Sequence, residues 1–335
     1  MVEDKVIGID LGGTRIRAAL MDGDGNILAR TRLATEAGQG LEHVLNRLEL
    51  AVNTVAETFD HSQIIGIGIG APGPLNPKTG VVYSPPNLPG WSNVPLGDIL
   101  EQRTGLPVFL ENDANAAVMG EYIFGVAKGY RYVVYMTVST GIGAGVIEDG
   151  RLLYGRNGAA GEVGHMTIDL NGPLCNCGNI GCLEVLASGT AIGRRAREIL
   201  ARDIRPSIMR EICGQNLESV TAEIVELAAS QGDAMAGEIL QQTAVYLGVG
   251  VTNILHLYNP EIVILGGGVA QMGDKLFEPM RAVIKQRAMP AYCQNVPIVT
   301  TKLGDDIGLY GAAAGVIAYR NEALERKQHL HQKVD

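Results

Sequence analysis

The feature that most constrains this chain is a pattern that occurs twice. A β-branched run, Lys5 to Asp10 (KVIGID), ends in Gly12-Gly13-Thr14, continues as Arg15 to Met21, turns at Asp22-Gly23-Asp24-Gly25-Asn26 and resumes from Ile27. The same order returns as Tyr132 to Val138, Ser139-Thr140-Gly141-Ile142-Gly143, Ala144 to Ile147, Glu148-Asp149-Gly150 and Arg151 to Tyr154. Strand, glycine turn, strand, turn, strand in both places predicts two copies of one α/β unit. One glycine turn arises easily by chance; agreement through three strands and two turns does not.

The segments between the copies extend the alternation. Leu41, Val44, Leu45, Leu48, Val52 and Val55 recur at helical spacing ahead of the apolar run Ile64 to Ile69, which predicts an amphipathic helix feeding a buried strand. Further strands are expected at Pro107 to Leu110, Glu261 to Leu265 and Val296 to Thr300, and helices from about Asn115 to Phe124, from about Asp233 to Leu257 and from about Ile307. Helix-covered sheets of this kind bind ligands at strand ends, where the glycine turns lie. Two such domains facing each other predict a cleft. The expected division is a small domain, 1–113, with the C-terminal helix at about 305–325 packing back on it, and a large domain, 114–304.

Composition narrows the functional classes. At 335 residues the chain has room for two domains. Its net charge is −9 and no basic block is present, which speaks against nucleic acid as the main partner. No apolar stretch approaches the roughly 18 residues of a membrane span. The N-terminus enters a strand after four residues without a leader pattern, so a cytoplasmic location is expected.

The first glycine turn, Asp10-Leu11-Gly12-Gly13-Thr14, supplies what a phosphate site requires: backbone N–H groups unshielded by Cβ and a neighbouring hydroxyl. A hairpin needs the same glycines, and a turn cap the same aspartate. The second turn of like design, Thr140-Gly141-Ile142-Gly143, and a third cluster at Gly266 to Gly268 weigh toward a nucleotide. A dinucleotide fold would instead lead from strand to helix, and here the first two turns lead into strands.

Glu111-Asn112-Asp113-Ala114-Asn115 stands between a strand and a helix. Capping uses one such residue, yet four of the five are polar. Phosphoryl transfer needs a carboxylate that orients the acceptor hydroxyl and takes its proton; Asp113 is the candidate, with Asn112 as a substrate hydrogen-bonder.

His165, Cys175, Cys177 and Cys182 form H-x9-C-x-C-x4-C, with Gly178 and Gly181 freeing the loop. Three thiolates and an imidazole make a closed set for structural zinc, with no position left for an activating water. Cys213 and Cys293 stand alone and read as packing residues. Glu162 and Glu184 flank the ligands, so a metal-pinned loop would hold two carboxylates in place for the vicinal hydroxyls of a polyol; taken singly, each is also an ordinary surface glutamate.

Taken together, DLGGTRIRAAL from Asp10, PPNLPGW from Pro85, ENDANAAVMGE from Glu111, STGIGAGV from Ser139, GAAGEVGHM from Gly158, CNCGNIGCLE from Cys175 and LGGGV from Leu265 resemble the ROK group (repressors, open reading frames and sugar kinases) over nearly the whole chain. Within that group the resemblance is strongest to bacterial ATP-dependent glucokinases. It implies two RNase H-like domains of the actin/hexokinase-like ATPase type around a central cleft. It further implies Asp113 as general base, and Gly12, Gly13, Thr14, Thr140, Gly141 and Gly143 around the ATP phosphates. Asn87, Asn112, Asp113, Glu162, His165 and Glu184 would surround the sugar. Asp10 would help position magnesium, and Gly267 and Gly268 would lie near the adenosine. Arg15 departs from the usual Lys, and Ala144 from a common Gly.

The expected activity is transfer of the γ-phosphoryl group of Mg-ATP to the 6-hydroxyl of glucose, as a homodimer or homotetramer. An N-acetylmannosamine or N-acetylglucosamine kinase is the alternative within the enzyme class. A sugar-responsive repressor is the alternative outside it, disfavoured because the residues before the first strand cannot form a recognition helix.

Overall fold

The computed structural model of the chain describes residues 4–156, 158–214, 216–293 and 295–331, with side chains at all of these except 292, 293 and 321–331. The chain divides into two units. The first comprises Met1–Tyr130, Tyr154–Ala160 and Lys302–Asp335, and the second Arg131–Leu153 and Gly161–Thr301.

The first unit is built on strands β1 (Lys5–Leu11), β2 (Arg15–Asp22), β3 (Ile27–Ala34), β4 (Ile64–Ala71) and β7 (Val108–Asn112), in the order β3-β2-β1-β4-β7. A small hairpin, β5 (Leu75–Asn76) with β6 (Val81–Val82), stands apart from this sheet. The first three strands are antiparallel and the last three parallel. Alternation along β1 sends Ile7, Ile9 and Leu11 to one face. There they pack with Val44, Leu45, Leu48, Val52 and Val55 of α1 (Leu41–Ala56). The opposite face carries Val6, Ala19 and Met21 against Leu309, Ala313 and Val316 of α11 (Ile307–His331).

Two glycines allow that last contact. A Cβ on Gly8 would lie 2.3 Å from the Leu309 carbonyl oxygen, and one on Gly68 only 1.8 Å from that of Ala312. The α11 backbone therefore lies directly on β1 and β4. Helices α2 (Leu96–Thr104) and α3 (Asp113–Ile123) complete the unit.

The second unit repeats the plan with β8 (Val133–Val138), β9 (Ile142–Glu148), β10 (Arg151–Leu152), β11 (Ile262–Gly266) and β12 (Ile298–Thr300), ordered β10-β9-β8-β11-β12. Again three strands are antiparallel and three parallel. The unit also contains helices α4 (Leu183–Ala187), α5 (Gly189–Arg202), α6 (Ile208–Cys213), α7 (Ala222–Ser230), α8 (Ala234–Tyr258), α9 (Asp274–Arg287) and α10 (Pro290–Cys293). The long α8 starts where Asp233 accepts the Ala236 N–H at 2.8 Å and stops at Asn259 in the left-handed region. The shared strand order is the RNase H-like plan of the actin/hexokinase-like ATPases, present twice. Among the described residues no helix is long and apolar enough to cross a membrane.

Local differences from the sequence expectation have simple causes. α3 begins at Asp113 rather than near Asn115, because the Asn112 side chain accepts the Ala114 N–H at 3.0 Å and caps the helix there. β9 begins at Ile142 rather than Ala144, so Gly143 lies inside a strand opposite Thr137. β10 ends at Leu152 rather than Tyr154. Tyr154 turns away to the first unit, where its hydroxyl donates to Glu111 Oε2 at 2.8 Å.

Candidate active site and metal centre

In the first unit, parallel pairing sets Asp10 beside Gly70, Gly70 beside Glu111 and Ala71 beside Asn112. The turn after β1 and the helix start after β7 therefore share one edge of the sheet. They are two strand spacings, about 10 Å, apart.

The turn after β1 closes on itself. Gly12 donates its N–H to Arg15 O at 2.9 Å, and the Thr35 hydroxyl and N–H donate to Gly12 O at 2.6 Å and Thr14 O at 2.9 Å. Gly12 has thus spent its donor, which leaves the N–H groups of Gly13 and Thr14 for an anion. A Cβ on Gly13 would lie 2.7 Å from both the Cβ and the carbonyl oxygen of Asn87, so position 13 must be glycine for Asn87 to pack there. Asp10, Gly12, Gly13, Thr14, Arg15, Arg17, Arg32 and Asp305 line an open cavity of ≈ 570 Å³. One carboxylate beside a phosphate cradle is the donor set magnesium takes, since that ion keeps waters and phosphate oxygens as its other ligands. Asp10 fits that role.

At the end of β7, Asp113 is exposed and one of its oxygens accepts the Ala114 N–H at 2.8 Å. Asn112 spends its Oδ1 as the helix cap, and its Nδ2 lies toward Gly73. Glu111 was not singled out by the sequence, yet it organises this corner. Its Oε1 accepts from Asn112 N–H at 2.9 Å and Asn115 Nδ2 at 3.0 Å, and its Oε2 from Tyr154. Burial raises its carboxyl above the ordinary range against those hydrogen bonds.

In the second unit, the turn at Ser139 to Gly141 is held by α4 and α5. Gly189 N–H donates to Ser139 O at 2.7 Å, and Thr190 Oγ1 to Thr140 O at 2.8 Å. Glu184 Oε2 accepts the Ile142 N–H at 2.9 Å. The residue expected at the sugar is thus also a support of the second glycine turn, a link between positions 42 residues apart that local pattern does not reveal. Gly267 adopts φ 84°, and a Cβ there would lie 2.4 Å from Val138 O. Gly268 has open space around it. Glu162 is exposed at the start of the turn that leads to His165.

His165, Cys175, Cys177 and Cys182 converge, with one ligand atom from each lying within 4.8 Å of the others. His165 Nδ1 is 3.7 Å from Cys175 Sγ, and Cys177 Sγ is 3.7 Å from Cys182 Sγ. Burial and the neighbouring thiols of Cys177 and Cys175 push Cys182 up to about 12. The Asn179 N–H draws Cys177 down. Thiols so crowded ionise together only around a cation, and three sulfurs with one imidazole nitrogen are a zinc set. The residues fit that metal. With Nδ1 facing the sulfurs, Nε2 of His165 is left for a second partner. Cys213 is half-buried against the core of this unit, and the side chain of Cys293 lies outside the described residues.

Comparison with known proteins adds a separate line of evidence. The glucokinase of Thermotoga maritima is 42% identical over 310 residues, covering 92% of this chain and 96% of that protein. The xylose repressor of Caldicellulosiruptor bescii is 36% identical, covering 93% of this chain and 78% of the repressor. The crystal structure of a ROK family glucokinase from Streptomyces griseus, in complex with glucose and AMPPNP, superposes with a TM-score of 0.77 at 35% identity, covering 92% and 98% of the two chains. The sequence model of the ROK family spans residues 6–318, and with its motifs and its doubled fold in agreement, the chain belongs to the ROK family.

Proposed function

We propose that this chain is an ATP-dependent sugar kinase that transfers the γ-phosphoryl group of Mg-ATP to the 6-hydroxyl of glucose. The observation that carries the proposal is the common sheet edge of the first unit. There the strands that lead into the Gly13–Thr14 turn and into Asp113 end two strand spacings, about 10 Å, apart and point the same way. That spacing suits a phosphate chain directed at a hydroxyl beside the aspartate.

In this reading Asp113 accepts the proton of the 6-hydroxyl as its oxygen bonds to the γ-phosphorus and the bond to the departing ADP oxygen breaks. Asp10 would hold magnesium, which neutralises phosphate charge when bound. Gly12 shapes the first turn, and Gly13 and Thr14 donate N–H groups to phosphate oxygens. Thr140, Gly141 and Gly143 would contact the nucleotide, and Gly267 and Gly268 would admit its adenosine. Asn87, Asn112, Glu162, His165 Nε2 and Glu184 hydrogen-bond the sugar. Zinc on His165, Cys175, Cys177 and Cys182 would fix the loop that includes His165 and is flanked by Glu162 and Glu184. The active form in the cytoplasm would be a homodimer or homotetramer, which light scattering reads directly.

The relatives support the class: one is a glucokinase, and another was crystallised with glucose and AMPPNP. The similarity to a xylose repressor keeps a DNA-binding reading within the experiment. ADP release is measured over a panel of hexoses and N-acetylhexosamines, with ATP and polyphosphate as donors, beside a gel shift with and without sugar. Glucose with ATP should lead in kcat/KM. A leading N-acetylhexosamine replaces the substrate, and sugar-dependent DNA binding without turnover removes the kinase.

A further inference from the structure

In the phosphate cavity Asp10 is ion-paired to Arg17, a residue with no part in the chemistry just described. Cross-strand register sets Arg17 of β2 directly opposite Asp10 of β1, and Arg32 of β3 opposite Arg17. Arg17 Nε and Nη2 both donate to Asp10 Oδ2, at 3.0 and 2.5 Å. Its Nη1 donates to Asp305 O at 2.5 Å and lies 3.9 Å from Asp306 Oδ1, while Arg30 Nη1 lies 3.7 Å from the other oxygen, Asp306 Oδ2. On its other side Asp10 packs against the start of α11, where a Cβ on Gly308 would lie 2.8 Å from Asp10 Cγ. The carboxylate is thus wedged between a guanidinium and a helix end, at the lining of the cavity. Side-chain exposures of 28% for Arg17 and 26% for Asp10 leave the pair incompletely screened by water, so it is worth more than a surface contact.

We propose that Arg17 is a positioning residue that covers Asp10 until the metal–nucleotide complex arrives, and then passes its guanidinium from that carboxylate to a phosphate oxygen. The inference rests on Asp10 as the magnesium ligand. The guanidinium fork suits the exchange because it pairs equally well with carboxylate and phosphate, whereas an ammonium offers only a point charge. A divalent cation without nucleotide meets an oxygen already holding two N–H donors. A cation carrying a triphosphate brings Arg17 a replacement partner. Free metal is therefore held off, and metal enters with its nucleotide.

The test titrates Mn2+ into the nucleotide-free protein and reads bound ion by electron paramagnetic resonance. Arg17→Met should bind Mn2+ about ten-fold more tightly than wild type, the effect of freeing one charge-assisted pair, and adding Asp10→Asn should abolish the gain. In kinetics Arg17→Met should raise the KM for ATP about ten-fold with a smaller change in kcat, and Arg17→Lys should recover part of that loss. If Arg17→Met does not fold, Arg17→Lys carries the titration, and tighter Mn2+ binding than wild type is expected of it too. Unchanged Mn2+ affinity in folded variants overturns the proposal. The titration contains neither sugar nor nucleotide, so it remains readable if no hexose is phosphorylated, and full glucokinase activity with unchanged Mn2+ affinity removes only the role of Arg17.

Discussion

Glu184 occupies the space that a side chain at position 141 would need. A Cβ on Gly141 would lie 2.5 Å from Glu184 Oε2, the same oxygen that accepts the Ile142 N–H. The second glycine turn and the helix that follows the cysteine loop are therefore fitted to one another through one carboxylate. Displacing that carboxylate disturbs both a turn and a proposed sugar ligand.

Gly141→Ala tests that coupling. The obstructing atom is the tip of a flexible side chain, so the fold yields by moving Glu184 at about 1 kcal/mol, the low end of what an added methyl costs in packed space. Catalysis does not tolerate the same shift, because displacement of a positioning group by about 1 Å costs on the order of 100-fold. The expected result is a melting temperature close to wild type, with kcat/KM for sugar lowered at least ten-fold. Unchanged steady-state kinetics would remove the coupling.

Asp113→Asn separates chemistry from helix start. Asn112 already caps α3 through the Ala114 N–H, so loss of one negative charge in the first turn should cost about 1 kcal/mol or less. Loss of the base should lower kcat by about 100-fold to 10,000-fold, with sugar affinity nearly kept. Wild-type turnover by Asp113→Asn would return the base assignment to another residue.

The sequence made legible what is local. Gly12, Gly13 and Thr14 form a turn within three residues, and Cys175, Cys177 and Cys182 form a ligand set within eight, so spacing alone carries them. The duplicated fold was legible for the same reason, each copy being a run of strands joined by short turns. The helices α4 to α7 were not anticipated, because α5 opens on Gly189, a poor helix former, and buries mainly small residues such as Ala191 and Ala196. Long-range partnerships were invisible as well. Glu111 with Tyr154, and Glu184 with Gly141, join residues more than 40 positions apart, and only the folded sheet brings them together.

Removing zinc should loosen the loop and leave most of the fold intact. The four candidate ligands belong to the second unit, and the main hydrophobic cluster there contains none of the three cysteines. A strong chelator should release one zinc per chain, lower the melting temperature by roughly 5 °C and raise the KM for sugar more than that for ATP. Cys182→Ser should reproduce all three effects. Elemental analysis that finds no zinc in active protein would end the assignment.

Glu111 makes stability depend on pH in a direction opposite to that of most acidic residues. Its carboxyl titrates above the ordinary range because burial outweighs the hydrogen bonds from Asn115, Asn112 and Tyr154. The folded state therefore holds its proton after the unfolded state has lost it, and stability falls as pH rises from the ordinary glutamate range through the raised value. Glu111→Gln removes the ionisable group. Its amide oxygen still accepts the two N–H groups from Asn112 and Asn115, and its amide nitrogen donates to the Tyr154 hydroxyl in a reversed bond. The variant should gain on the wild type as pH increases, its relative stability in urea being greater at about pH 7.5 than at about pH 4.5. A difference that stays constant across that interval would show that the carboxyl titrates alike in both states.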